Sequence, residues 1–361
     1  MKKIRKYVLI SYLAPYFKGL AALMLIMIIT HFFDFMHVFL GRRPPAGIFF
    51  TYFLHRLPEW FVMMMPVATL LAVLFSLGTL NRHHELTAIK TSGIRLQYVF
   101  VPIIGFAVIM SLFSVVMHET ILPPTTARAN EMFREIRGRE PRLIDTDREN
   151  FVYMGEERRI YSIGFFSGKE IRDLNLIEFF PQTTRERKQI FAKEAVYAGD
   201  NIWQLTQAAI REFSPEGDII SYSESESMPI KLPETPENFS KPELHPEQMD
   251  FFTLLAYIGK LQRGGFSTRS ERVILHNKIA FPFSNTIILF LGIPLALWSG
   301  TRNRTTGFFI SILICFIYWG AISVGKALGT RGVIHPVLGA WAANIIFLAI
   351  SLAMLKVARI T

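Results

Sequence analysis

Residues 81–93 read NRHHELTAIKTSG, and the adjacent His84 and Glu85 are half of a helical zinc-hydrolase motif. That motif, H-E-x-x-H, works because two histidines four apart share one helix face and both reach the metal. Here Ala88 stands four residues beyond His84, and Thr87 four beyond His83. The second ligand is missing, so no metal is assigned to this stretch. A second candidate is GAISVGKA at 320–327, which has the G-x-x-x-x-G-K spacing of a phosphate-binding loop. It lacks the Ser or Thr that would hold magnesium, and it lies inside an apolar run and not after a strand. The reading adopted is helix-packing glycines followed by a lysine at the membrane interface. A third set is His31, Asp34 and His37, at successive i, i+3 steps on one helix face. Three ligands on one helix make a poor tetrahedron. Two readings stay open for it: ordinary interfacial polar residues, or a polar surface lining a path for an amphiphile. Arg42 and Arg43 follow directly and could receive phosphate groups, or could simply set topology.

The elements that must position these residues are visible in the composition. Of 361 residues 51% are hydrophobic, with 32 Phe and 14 Met, yet 19% are charged. The charge is therefore segregated from the apolar blocks. Residues 123–272 hold 25 of the 29 acidic residues and 21 of the 39 lysines and arginines, for a net of −4. The remainder carries +14. Because that basic charge flanks apolar runs, the implied partner is anionic lipid, not nucleic acid. The single Cys315 excludes an internal disulfide or a thiolate metal cluster. The basic N-terminus leads into an apolar run with no small-residue cleavage site, which reads as a retained signal anchor.

A bilayer core of ~30 Å needs about 20 mostly apolar helical residues. Six segments qualify: 19–40, 48–80, 98–122, 273–298, 307–327 and 336–355. The second holds Pro58, Glu59 and Pro66, which predicts a kinked or interfacial start. Lys18 is expected to snorkel to the inner interface, and Glu59 to pair with a basic group on another span or another chain. With the N-terminus inside, eleven short-loop lysines and arginines fall on the cytoplasmic side. Only four, Arg42, Arg43, Lys326 and Arg331, fall opposite. Both termini and 81–93 are then cytoplasmic, and the large insert is exported.

Within the insert the period changes. IRDLNLIEFF, QIFAKEAVYAG, NIWQLTQAAIREF and IISYSESESMPI are short β-type runs separated by turn signals such as FFSGKE, AGDN and SPEGD. They predict an all-β sandwich or jelly roll. Pro229, Pro233, Pro236, Pro242 and Pro246 then suggest an extended linker, and MDFFTLLAYIGKLQRGG an amphipathic helix returning to the membrane. The expected fold is an α-helical membrane protein with six transmembrane helices and an inserted periplasmic, jelly-roll-like β domain. The expected division is 1–122 for helices one to three, 123–249 for the β domain and linker, and 250–361 for the rest.

This layout resembles the LptF/LptG lipopolysaccharide export permeases over essentially the whole chain. The resemblance is strongest in LPEWFVMMMPVATLLAVLFSLGTLNRHHELTAIKTSGI and LHNKIAFPFSNTIILFLGIPLAL. ENFVYMGEERRIYSI and FFDFMHVF are closer in wording to the LptG member of the family than to its LptF paralogue. The resemblance implies a non-catalytic subunit, paired with an LptF-like permease and driven by two LptB-like ATPase copies that bind the ATP and magnesium. It implies no cofactor in this chain, an inner-membrane location, and an LptC-like partner joined to the periplasmic β domain. Lipopolysaccharide would pass through a cavity between the two permease chains, with the first and fifth spans at its gates. Where the family has lysines on the outer half of its first span, this chain has His31 and His37, then Arg42 and Arg43. With Asp34, Lys326 and Arg331, these are the candidate lipid contacts.

The opening stretch then reads as a coupling helix, since a chain without a nucleotide motif needs an external motor. Asn81 is expected to cap it and Gly93 to end it, with Leu86 and Ile89 on one face. Glu85 matches the family's coupling-helix Glu and is expected to meet an arginine of the ATPase, with His84 beside it. A permease for another lipid or a lipoprotein would share the architecture. A membrane-embedded hydrolase would need a nucleophile or metal set that the sequence does not display.

Overall fold

The computed structural model describes residues 2–42, 46–136, 147–155, 157–180, 185–240, 245–263, 265–298 and 304–357; of 37–42, 46, 147, 150, 298 and 304–307 the backbone alone is described. The chain divides into two compact units. One is helical, comprising Met1–Gly138, Pro246–Phe251 and Arg269–Thr361; the other comprises Arg139–His245 and Phe252–Thr268.

The helical unit contains six helices long and apolar enough to cross a membrane: α1 (Lys2–Arg42), α2 (Ala46–Arg82), α4 (Leu96–Thr120), α8 (Arg269–Trp298), α9 (Arg304–Arg331) and α10 (Pro336–Val357). The first helix starts well before the expected residue 19. At 1.5 Å per residue its 41 residues span about 60 Å, twice a bilayer core of ~30 Å. Its N-terminal extension is held because Val8, Tyr12 and Tyr16 recur on one face and are buried. Both tyrosine rings pack edge-on against Phe106 of α4. The second helix runs unbroken through Pro58 and Pro66. It and α8 are the most enclosed spans, so surrounding side chains, not water, sustain the helix past its prolines.

Polar side chains tie the spans together. Thr69 donates to Asn285 at 2.5 Å, and Ser111 and Thr286 share a hydrogen bond of 2.9 Å. Asn344 donates to the Ala280 carbonyl at 2.7 Å and accepts from Tyr318. Such interhelical bonds contribute about 0.6 kcal/mol each in a membrane. Of the two glycines in the phosphate-loop look-alike, Gly325 serves packing. A Cβ at Gly325 would lie 2.6 Å from the Gly339 carbonyl oxygen, and Gly329 also abuts Gly339. Gly320 meets nothing within 4 Å.

Two shorter elements complete the helical unit. α3 (Glu85–Thr91) joins α2 to α4, and α5 (Leu122–Ile136) follows α4. α5 is amphipathic and buries Ala129, Met132 and Ile136 in a cluster with Tyr52, Phe53 and Trp60. The first compact unit therefore runs past the expected boundary at 123. The second reclaims 252–268, which includes most of α7 (Phe251–Arg263).

The other unit is one antiparallel sheet in chain order: β1 (Asp147–Met154), β2 (Arg159–Ser167), β3 (Glu170–Phe179), β4 (Glu186–Gly199), β5 (Ile202–Phe213) and β6 (Ile219–Lys231). Among the described residues it is a meander, without the Greek-key crossovers that wind a jelly roll. A sandwich-like core arises from a crease. The registers skip Gly164, Asp173, Lys193, Gln207 and Glu226, one residue from each of β2 to β6, and these stand opposite one another. Asp173 and Gln207 have left-handed φ of 52° and 50°. Gly164 is required there, because a Cβ would come within 2.8 Å of Asp173 Cβ. Inward positions jump by three across the crease, from Ile163 to Phe166 and from Ile171 to Leu174, so one face stays apolar on both sides.

The short helix α6 (Pro236–Ser240) closes this fold. Phe239 is fully buried, with its ring 5.0 Å from Tyr153 on β1 and 5.8 Å from Trp203 on β5. In a flat sheet, strands β1 and β5 would be about 19 Å apart, so the sheet wraps around Phe239. Glu234 accepts from Tyr161, and the Trp203 indole N–H donates to the Glu234 carbonyl at 2.9 Å. Burial and the Glu234 carboxylate together push the Tyr161 hydroxyl well above the usual tyrosine range. The expected proline linker is thus largely ordered. Pro229 lies in the edge strand β6, Pro236 starts α6, and Pro246 starts a 3₁₀ turn, Pro246–Gln248. Pro242 lies outside the described residues.

Candidate functional site

One end of the helical unit carries the start of α1, the end of α2, α3 and the start of α4. The turn from α2 into α3 passes through His84 in the left-handed region, φ 58°. Asn81 does not cap α3. It remains within α2, and its side-chain amide donates to the Leu297 carbonyl at the end of α8, at 3.1 Å. Gly93 does follow the helix, with φ 80° and its N–H on the Lys90 carbonyl at 3.1 Å.

The shared face of Leu86 and Ile89 is real but points inward. Leu86 is buried in the main core of the spans and Ile89 packs against it. These two side chains therefore anchor α3 and do not present themselves to a partner. The exposed residues from the end of α2 through α3 are Arg82, His83, His84, Thr87, Ala88, Lys90 and Thr91. Glu85 is half-buried and accepts a 2.9 Å hydrogen bond from the Tyr7 hydroxyl of α1. Arg5 secures the same region, donating to the Tyr98 carbonyl at 2.9 Å. Beside Glu85, a groove of about 580 Å³ runs between α1 and α2 and is lined by Tyr7, Lys18, Leu23, Leu71 and Phe75.

At the other end, the polar face expected on α1 is divided. His31 turns toward α2, where its Nε2 shares a 2.6 Å hydrogen bond with the Tyr52 hydroxyl. Rings of Phe35, Tyr52, Phe53 and Trp60 surround it at 4.6 to 5.9 Å. Asp34, one turn further along α1, is exposed. The side chains of His37 and Arg42, and all of Arg43, lie outside the described residues. Among the described residues no group of three His, Cys, Asp or Glu side chains is placed to hold a metal. Glu59 pairs with Arg56 one turn earlier on its own helix, at 2.7 Å, and among the described residues forms no ion pair with another span. Arg56 also donates to Asn130 of α5 at 2.7 Å.

Arg331 is exposed at the end of α9, whereas Lys326 is half-buried on the wall of a cavity of about 520 Å³. That cavity is bounded by α2, α4, α5, α8 and α9 and contains a cation that sequence reading missed, Lys278. The signal was available in LHNKIAFPF, a lysine within an apolar span, since intramembrane ionisable groups mark functional sites by default.

Six spans, an inserted β unit and a short helix anchored between the second and third spans define a polytopic membrane permease. The chain matches the family model described as "Lipopolysaccharide export system permease LptF/LptG" over residues 6–357. It is 22% identical over 313 residues to the lipopolysaccharide export system permease protein LptG of Escherichia coli strain K12, covering 84% of each chain. The same figures hold for the LptG protein of Escherichia coli O6:H1, strain CFT073 / ATCC 700928 / UPEC. The chain belongs to the LptF/LptG family of lipopolysaccharide export permeases.

Proposed function

We propose that this chain is the LptG-like half of a two-chain permease that extracts lipopolysaccharide from the inner membrane. A separate pair of cytoplasmic ATPase subunits of LptB type binds the ATP and magnesium and drives it. The carrying observation is α3: Leu86 fixes it into the core of the spans while His83, His84, Thr87, Ala88 and Lys90 remain exposed. A lever seated this way transmits a push on its outer face to α1 and α2 through the Tyr7–Glu85 bond and the Leu86 socket.

In this reading both termini and α3 are cytoplasmic, following the short-loop charge, and the β unit is periplasmic. The mate of the pair is an LptF-like chain, and lipid passes between the two where α1 and α9 expose apolar surface. Phe17, Ile26 and Phe33 on α1, with Phe309, Phe316 and Val324 on α9, supply that surface. The sheet has two edges, β1 and β6. An LptC-like β partner joins by adding its strands to one of them.

The test is co-purification in mild detergent followed by reconstitution. Tagged protein should recover an ATPase and a second six-span chain, and ATP should release lipopolysaccharide from the vesicles to a periplasmic acceptor. Thr87→Trp on the exposed face of α3 should abolish recovery of the ATPase. Unchanged recovery, with unchanged release, would remove α3 from the coupling role.

A further inference from the structure

Helix α7 is apolar on two opposite faces. Leu254, Ile258 and Leu261 are buried along one of them. Residues three and four apart share a helix face, which puts Phe252, Leu255, Ala256 and Gly259 together on the other. There Phe252 is 78% exposed, and Leu255 and Ala256 are exposed as well. Outside the six spans, Phe252 is the most exposed of the large apolar side chains described. A helix that packs one face inward and turns the other to water carries polar residues on the outer face. On α7 the polar residues of that side, Gln262 and Arg263, come only in the last turn. Gly259 continues the stripe without a side chain, and a Cβ built there meets nothing within 4 Å.

What covers the stripe follows from where α7 begins. The N–H of its first residue, Phe251, is held at 2.6 Å by the carboxylate of Glu119, the last residue but one of the span α4. Phe251 belongs to the helical unit with the spans, and Phe252 is the next residue in the chain. The stripe therefore starts beside the end of a membrane-crossing helix, where hydrocarbon gives way to headgroups. Its order fits that boundary. Phe252 and Leu255 come first, and the cation Arg263 lies about 16 Å further along the axis. Helices that lie in the interface sink their apolar face about 5–10 Å and keep basic residues among the headgroups. A protein partner fits less well, because so few apolar side chains cover far less than the ~800 Å² per partner of a standard interface.

We propose that the first two turns of α7 lie in the interfacial layer of the bilayer, on the side where α4 ends, with Phe252 and Leu255 among the upper lipid methylenes and Arg263 at the headgroups. The partner is the lipid surface itself and not a bound lipid molecule. The stripe anchors the chain where it returns from the β unit to the spans. The proposal needs only the six spans and involves no substrate, motor or second chain, so its failure leaves the proposed transport function standing.

Full-length protein carrying Cys315→Ala should be given single cysteines by Phe252→Cys, Leu255→Cys or Arg263→Cys, spin-labelled, and placed in nanodiscs of phosphatidylethanolamine and phosphatidylglycerol. Dissolved oxygen concentrates in hydrocarbon and a neutral nickel chelate in water, so their collision rates with the label report its surroundings. Oxygen should exceed the chelate about threefold or more at 252 and 255, and fall below it at 263. Ile220→Cys, 68% exposed on the edge strand β6, is the water-facing reference. A chelate preference at 252 and 255 equal to that at 220 would overturn the proposal by placing the stripe in water. Exclusion of both reagents would overturn it as well, because a protein surface then covers the stripe. In the Phe252→Cys protein, Leu255→Glu should cut the oxygen preference about twofold or more, whereas Leu255→Met should leave it unchanged. An oxygen preference that survives Leu255→Glu intact would show that the stripe is not what holds α7 in the interface.

Discussion

The Tyr7 hydroxyl of α1 donates to Glu85 Oε2 of α3 at 2.9 Å, joining elements 78 residues apart in sequence. Glu85 therefore has a partner within its own chain before any ATPase arrives. If its second oxygen also meets an arginine of the motor, loss of the carboxylate removes both contacts. A charge-assisted bond to a partly buried group is worth about 1.5–3 kcal/mol, so Glu85→Ala should weaken ATPase docking by roughly 10- to 150-fold. Tyr7→Phe removes only the intrachain bond, about 0.5–1.5 kcal/mol, and should lower coupling efficiency while leaving ATPase recovery intact. His84→Ala should be mild. ATPase recovery and lipid release, measured together, separate these outcomes; wild-type behaviour of Glu85→Ala in both would end the coupling assignment.

Orientation is open to thiol labelling once the buried Cys315 is replaced by Ala. Thr91→Cys, exposed at the end of α3, should react with an impermeant reagent only after the inner membrane is opened. Lys169→Cys, exposed at the β2–β3 turn, should react in intact spheroplasts. The neighbouring Gly168 is a poorer choice, because its φ of 57° disfavours a side chain. Labelling of Thr91→Cys in intact spheroplasts would reverse the topology.

Phe239 is the centre of the β unit, touching side chains from β1, β2 and β5. Phe239→Ala should cost about 3–5 kcal/mol by opening a cavity there, and Phe239→Leu clearly less. Hydrogen exchange of the β1 and β5 amides in the full-length protein is the readout. Accelerated exchange confined to β6 would show that Phe239 does not hold the two halves of the sheet together.

The two glycines of GAISVGKA should behave differently. Gly325→Ala drives a Cβ into the Gly339 carbonyl, an overpacking cost of about 1–3 kcal/mol, and should lower the melting temperature in detergent. Gly320→Ala meets open space and should be neutral or slightly stabilising. A nucleotide loop would need both glycines; equal damage from the two substitutions would contradict the packing role.

Much of this protein was legible in the sequence because its signals are local. Runs of about 20 apolar residues can do little but cross a bilayer as helices, so the six spans followed directly. Period-2 alternation and turn residues placed β3 to β6 within a few positions of their observed ends. Gly93 ended α3 because a left-handed residue is needed there.

What the tertiary structure alone decided is which neighbour each face and each polar group receives. Helical spacing put Leu86 and Ile89 on one side, but only the packed spans show that this side is the anchored one. His31, Asp34 and His37 shared a face on paper, but only the packed helices show that His31 bonds Tyr52 among the aromatic rings of α2 while Asp34 is exposed. Asn81 has the chemistry of a helix cap, but a free carbonyl at Leu297, 216 residues onward, takes its amide instead. Lys278 was one lysine in an apolar run until α9 brought Trp319 and Lys326 to the same cavity. Propensity and period act over a few residues, whereas burial and hydrogen-bond partners are set by contacts between distant segments, and those contacts exist only once the chain has packed.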